Sequence, residues 1–177
     1  MKLVKYNDPI LYEAPARFDF NDPPMDPVEL ADNLKNTMVE LRGVGLSANQ
    51  VGIPYQVFAA GDFTMPEDII VAFNPRIVFA SDQIVPIEEG CLSYPGLFLI
   101  VERPSIVKMR AADQTGYVHT NTYDGIPARI IQHEMDHMMG TNFTTRVSKI
   151  KLERAKAHKK KLDKLRERNL ARLRQHG

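Results

Sequence analysis

The sequence predicts an α+β fold: mostly antiparallel β-sheets packed around one central helix, with an additional helix on the N-terminal side and a basic helix at the C-terminus. Three observations carry this expectation. Six short stretches between residues 56 and 123 are rich in β-branched and aromatic side chains and are bounded by Pro, Gly, Asn or Asp. Two segments on either side of them carry helix-start signals with apolar spacing of about one turn. The last 30 residues are dominated by Lys, Arg, Leu, Ala and Glu.

Residues 1–25 read as an irregular arm, because Pro9, Pro15, Pro23 and Pro24 each turn the preceding residue away from helix. A helix over 27–42 follows, with Asp26 as N-cap, Pro27 at its first position and Glu29 three residues after the cap. Leu30, Leu34, Met38 and Leu41 form its apolar stripe, and Gly43 is placed to end it. Strands are expected at 56–60, 69–73, 76–80, 84–87, 106–112 and 117–123. A second helix spans 127–139, opened by Pro127 and closed by Gly140. The third helix has only a thin stripe of Leu152, Ala155, Leu162, Leu165 and Leu173.

A chain of 177 residues is one domain's worth, and a domain of about 150 residues buries roughly 68–70% of its unfolded surface. Cys91 is the single cysteine, which excludes an internal disulfide and points to a reducing compartment. Lys2, Lys5, Asn7, Asp8 and Glu13 interrupt any N-terminal signal, and the longest apolar runs, 69–73 and 97–101, fall far below the roughly 20 residues of a membrane helix. A cytoplasmic protein with no membrane association is expected. The net charge of +1 hides an asymmetry. From residue 148 onward twelve Lys and Arg face Glu153, Asp163 and Glu167, a local charge of +9, leaving −8 on residues 1–147. The expected organisation is a body over 1–147 and a basic helical extension over 148–177.

The sharpest chemical signal is His133-Glu134-Met135-Asp136-His137. Histidines four apart on a helix lie one turn apart on the same face, so both imidazoles reach one metal ion, and the Glu between them approaches a water beside that ion. Such a pattern also arises by chance in a charged helix. Here Ile130, Ile131, Met138 and Met139 flank it, which marks a buried helix whose polar groups need partners. Catalytic metal sites take three protein ligands and an open position. Cys91 is the candidate third ligand, since Glu88, Glu89 and Gly90 before it are poor company for an inert core thiol. The loop 43–52 holds three glycines, but with no Lys-Ser/Thr ending and no strand before it, it does not read as a phosphate-binding loop.

Three stretches together identify a resemblance. Gly-Val-Gly-Leu-Ser-Ala-Asn-Gln at 43–50, Glu-Gly-Cys-Leu-Ser at 89–93 and Gln-His-Glu-Met-Asp-His at 132–137 resemble, in order and spacing, the motifs of peptide deformylases. The opening Asp8-Pro9-Ile10-Leu11 fits as well, and the likeness covers roughly residues 5–147. It implies a metal-dependent hydrolase that removes the formyl group from the N-terminal formyl-methionine of newly made polypeptides. Cys91, His133 and His137 would hold one divalent ion, with Fe(II) the usual physiological choice and Ni, Co or Zn able to replace it; a thiolate with two imidazoles suits several of these. Hydroxide formed at the ion would attack the formyl carbon, Glu134 acting as general base, with the oxyanion held by the ion, the Gln50 side chain and the Leu92 N–H.

The resemblance also implies a substrate backbone paired as a strand with main-chain groups around Val44, Gly45 and Gly90. The methionine pocket would be built by Val44, Ile87, Ile126 and Ile130, for which plain core packing is the competing reading. Two positions depart from the pattern. Ser47 stands where Ala is commoner. Arg129 replaces an apolar residue one turn before His133; its stem is expected to cover the pocket while its guanidinium reaches the rim to meet substrate carbonyls or a carboxylate. Arg103 is expected to steady the substrate or the 88–93 loop, with a surface ion pair as the alternative. Glu88, Glu89 or Asp136 is expected to accept the free N–H of a liganding histidine. His119, His158 and His176 sit in no motif and read as surface residues. The partners implied are formyl-methionyl nascent peptides and, through the basic helix, ribosomal RNA phosphates. A monomer is expected. Against this stand a metallopeptidase or other amidase of the same helix motif, which draws its third ligand from His or Glu, and a non-catalytic ribosome-binding module.

Overall fold

The computed structural model describes residues 1–175, so His176 lies outside the described residues. The elements run α1 (Pro27–Glu40), β1 (Gly45–Ser47), β2 (Val57–Ala60), β3 (Ile70–Ala80), β4 (Ile84–Gly90), β5 (Phe98–Pro104), β6 (Ile106–Ala112), β7 (Val118–Asp124), α2 (Gly125–Met138) and α3 (Lys149–Gln175). All strand pairing in the two sheets is antiparallel: five strands in the order β1-β2-β3-β6-β7, and a separate hairpin of β4 and β5. This is the α+β architecture expected from the sequence.

Each side of the five-stranded sheet carries one helix. Along β2 the side chains alternate: Val57 and Ala59 pack with Leu30, Leu34 and Met38 of α1, while Phe58 and Ala60 pack with Ala128, Ile131 and Met138 of α2. A third cluster, Leu97, Leu99, Val101 and Phe143, lies under the hairpin and is covered by Leu152 and Ala155 from the start of α3. That helix is therefore anchored by its first two turns, whereas Leu162, Leu165 and Leu173 are exposed.

α2 begins at Gly125, two residues before Pro127, with no side-chain hydrogen bond from its N-cap Asp124, whereas the start of α1 follows the capping chemistry. Asp26 accepts from the amides of Val28 and Glu29 at 2.8 and 3.0 Å. The end of α1 differs from expectation. Leu41 is exposed, and Arg42 rather than Gly43 takes the left-handed position, at φ 53, so that the Gly43 amide reaches Met38 O at 2.9 Å. A Cβ at Gly43 would stand 2.7 Å from Leu92 Cδ1, so that side chain would have to turn aside.

The stretches 69–73 and 76–80 are one strand, β3, with its register against β6 shifted between Phe73 and Arg76. Pro75 has no amide to give to a ladder, and the irregularity absorbs it. Asn74 beside it, at φ 50, exchanges hydrogen bonds of 2.8 and 2.9 Å with the backbone of Phe18, tying the N-terminal arm to the sheet. Two strands, β1 and β5, lie where none was expected.

Candidate active site

β4 ends at Gly90, so Cys91 leaves the hairpin directly toward the face of α2 that carries His133 and His137. The ligand atoms of the three residues lie within 4.8 Å of one another, with Cys91 Sγ 3.5 Å from His137 Nε2. The donor chemistry fits a divalent first-row ion. His133 Nδ1 lies 2.9 Å from Glu89 Oε2. Donation of that N–H leaves the Nε2 lone pair for a metal, the usual arrangement of a ligating imidazole. Of the three candidates, Glu89 is the acceptor. Burial, with the charges of His133 and Arg103, pushes His137 down to about 3 and keeps its imidazole neutral, the form that can bind a metal. At His133 burial acts downward too, yet Cys91, Glu89 and Glu134 together hold it up to about 10.

Glu134 is 2% exposed, and burial pushes its carboxyl up to about 7. Its Oε2 and His137 Nδ1 are buried side-chain polar atoms without a hydrogen-bond partner among the described residues. An unpaired buried acceptor costs about 1–3 kcal/mol, so Oε2 stands ready for a water beside an ion. The residue is cradled by Gly45, where a Cβ would lie 2.2 Å from Oε1 and 2.9 Å from Cδ. Replacing Gly45 by Ala is therefore expected to displace the carboxylate and cut turnover about 100-fold while the protein still folds and binds metal, because a misplacement near 1 Å costs on that order. Formate release and bound metal measured on one preparation check this.

Gln50 is held from both ends. Its Oε1 accepts from the Ser47 amide and hydroxyl, each at 2.9 Å, and its Nε2 donates to Ser93 Oγ at 2.9 Å and faces Cys91 Sγ at 3.4 Å. Ser47 is thus more than a tolerated replacement for Ala: its hydroxyl also lies 2.8 Å from Asn49 Oδ1. Asn49 Nδ2 reaches His137 O at 3.2 Å and fastens the loop to α2.

Under Cys91, His133 and His137 lies a buried ionic network. Arg103 grips Glu89 with Nε and Nη2 at 2.7 and 2.9 Å and reaches Asp136 Oδ2 at 2.9 Å. Asp136 is also paired with Arg146. Burial acts to raise the Glu89 carboxyl, but Arg103, His133 and Arg129 hold it well below the usual carboxylate range. Arg103 thus steadies β4; it is 4% exposed and makes no surface pair. The rim position expected for the Arg129 guanidinium is corrected. It turns inward, with Nη1 donating to Glu89 Oε1 at 2.9 Å and to Val101 O at 2.8 Å, and Nη2 to Val85 O. A buried charge needs such partners, and Glu89 with two strand carbonyls supplies them.

Val44, Gly45, Gln50, Ile87, Gly90, Cys91, Leu92, Ile126, Arg129, Ile130, His133 and Glu134 line one cavity of about 490 Å3, whereas His137 is not part of its lining. Val44 and Ile126 are exposed at its mouth, so plain core packing does not account for them. Sequence reasoning passes over Ser93, which positions Gln50, and Phe98 and Tyr94, which also line the cavity. His119 is exposed and bonds Asp113 at 2.9 Å, away from this site.

A family model described as polypeptide deformylase matches residues 1–153. The peptide deformylase 1B, chloroplastic/mitochondrial, of Arabidopsis thaliana is 40% identical over 150 residues, which cover 84% of this chain and 54% of that protein. A peptide deformylase of Maricaulis maris is 36% identical over 172 residues, covering 96% of this chain and 98% of its own. The crystal structure of the Arabidopsis thaliana peptide deformylase 1B with an inhibitor superposes at a TM-score of 0.80 and 37% identity, over 96% of this chain and 93% of that one. The chain spans about half the length of the first plant relatives it matches, 54% and 51%. The family match runs past every residue of the cavity, and the chain belongs to the polypeptide deformylase family.

Proposed function

We propose that this chain removes the formyl group from the N-terminal formyl-methionine of newly synthesised polypeptides. The observation that carries the reading is the Cys91, His133 and His137 cluster with Glu134 buried beside it in an apolar-walled cavity. Cys91, His133 and His137 would hold one divalent ion, Fe(II) in the cell with Ni, Co or Zn as substitutes, which would supply Lewis acidity for activating a water near neutral pH. Glu134 takes the proton of the attacking water and returns it to the departing amine. The Gln50 Nε2–H that faces Cys91 and the Leu92 N–H donate to the oxygen on which charge develops. The backbones of Val44, Gly45 and Gly90 pair with the extended substrate, while Ile87, Ile126 and Ile130 receive the methionine side chain. Arg129 acts on the pocket indirectly, by fixing Glu89 and β4.

The metal-loaded protein is expected to release formate from formyl-Met-Ala and to leave acetyl-Met-Ala intact. No formate from a preparation carrying metal would end this reading.

Residues 148–177 serve in this reading as a basic extension of a catalytic body, docking a monomeric enzyme to ribosomal RNA in a reducing, cytoplasmic setting. No helix among the described residues is long and apolar enough to cross a membrane. Because Leu152 and Ala155 cover the third core cluster, the cleaner test reverses charge beyond them rather than deleting α3. Lys160→Glu with Lys161→Glu and Lys164→Glu is expected to weaken co-sedimentation with ribosomes severalfold and to flatten its salt dependence, since each phosphate no longer neutralised lowers the slope by about 0.7–0.9. Unchanged co-sedimentation would rule this docking out.

A further inference from the structure

The cavity beside Cys91 does not end at its own mouth. Glu88, Gly96 and Phe98 line it and also line a second hollow of about 670 Å3, which runs under α3. Phe98 is the shared wall. Its residue pairs with Gly90 in the β4–β5 hairpin, its ring lies so close that a Cβ on Gly90 would meet Cε1 at 2.8 Å, and it is nonetheless 56% exposed. The opposite wall comes from α3, where Leu162 and Leu165 are 50% and 53% exposed. Charge in the hollow is nearly balanced, with Lys159 and Arg166 against Glu88 and Asp163, and Lys159 already pairs Asp163. Apolar packing is therefore what this surface offers.

We propose that this groove holds the part of the substrate peptide that follows the methionine, seating an apolar side chain between Phe98 and Leu162. The proposal rests on the deformylase reading. It follows from continuity: a peptide paired as a strand beside Gly90 advances about 3.3 Å per residue. A few residues carry it past Phe98 into the hollow. The C-terminal helix thus has two working faces, the groove wall and the basic side that carries Lys160, Lys161 and Lys164.

The test compares formyl-Met-Ala with two formyl-heptapeptides, one having Leu and the other Ser at each position after the second. The expected result is a KM roughly tenfold lower for the Leu peptide, the scale of discrimination by one apolar pocket. Leu162→Asp, an exposed position that folding tolerates, is expected to erase that preference and leave formyl-Met-Ala turnover as it was. Fluorescence anisotropy of the unformylated Leu heptapeptide, labelled at its C-terminus, reads the groove without turnover. Tighter binding to the parent protein than to Leu162→Asp is expected there. Equal binding by the two proteins, or equal KM for the Leu and Ser peptides, overturns the proposal. So does a preference that survives Leu162→Asp, or a parent dimer that Leu162→Asp dissociates with peptide binding unaltered, which would give the groove to a second copy. Absence of formate from every peptide would instead count against the deformylase reading, with anisotropy still deciding the groove.

Discussion

Glu134→Gln is expected to lower formate release from the metal-loaded protein by roughly 10² to 10⁴, the range a positioned general acid–base contributes. The carboxylate is fully enclosed, rests against Gly45 and leaves Oε2 without a protein partner. Gln has the same shape and fills the same space, so core packing and the Cys91, His133 and His137 cluster are undisturbed. What disappears is the ability to carry a proton from the attacking water to the leaving amine. Metal content and thermal midpoint are therefore expected to match the parent protein. A variant that keeps more than a tenth of the parent rate would take the proton-transfer role away from Glu134.

Glu89→Ala is expected to destabilise the fold by about 3–5 kcal/mol, the cost of breaking a buried ion pair by removing one partner. Two buried guanidinium groups, Arg103 and Arg129, and the His133 ring all direct hydrogen bonds to this carboxylate. Its removal leaves uncompensated charge under the site. The same change frees the His133 ring to turn, so metal affinity should fall about 10- to 100-fold, as removal of a ligand's hydrogen-bond acceptor does. Urea unfolding and a competitive metal titration read the two effects separately. Stability within about 1 kcal/mol of the parent would mean that the network is not the foundation of the site.

What the sequence made legible follows from what leaves a local mark. The α2 pair His133 and His137, the cap at Asp26 and the apolar stripe of Leu30, Leu34 and Met38 depend on spacing within one helix, and spacing is visible in a string of letters. The partners of Arg103 and Arg129 depend on strands and a helix far apart in the chain, and nothing near either arginine announces Glu89. Strand β5 alternates exposed and buried along Phe98, Leu99, Ile100 and Val101, but its exposed members are apolar too, so the alternation is hidden in a continuous apolar run. Strand β1 is only three residues, Gly45–Ser47, inside a glycine-rich loop, and is a strand because β2 is there to pair with it. Ser93 reads as an ordinary serine until the fold brings Gln50 to it.

The proposed hydrolysis of the formyl amide at one ion, which Cys91, His133 and His137 would hold beside Glu134, is the chemistry on which every other assignment depends. It is read most plainly from the rate of formate release from formyl-Met-Ala as Fe(II) or Ni(II) is returned, without oxygen, to metal-stripped protein. The rate is expected to rise in proportion to bound metal and to level off at one ion per chain, with Cys91→Ala neither binding that ion tightly nor turning over. Full activity in the stripped protein, or a chain loaded with one ion at these residues and inert toward formyl-Met-Ala, would refute this chemistry.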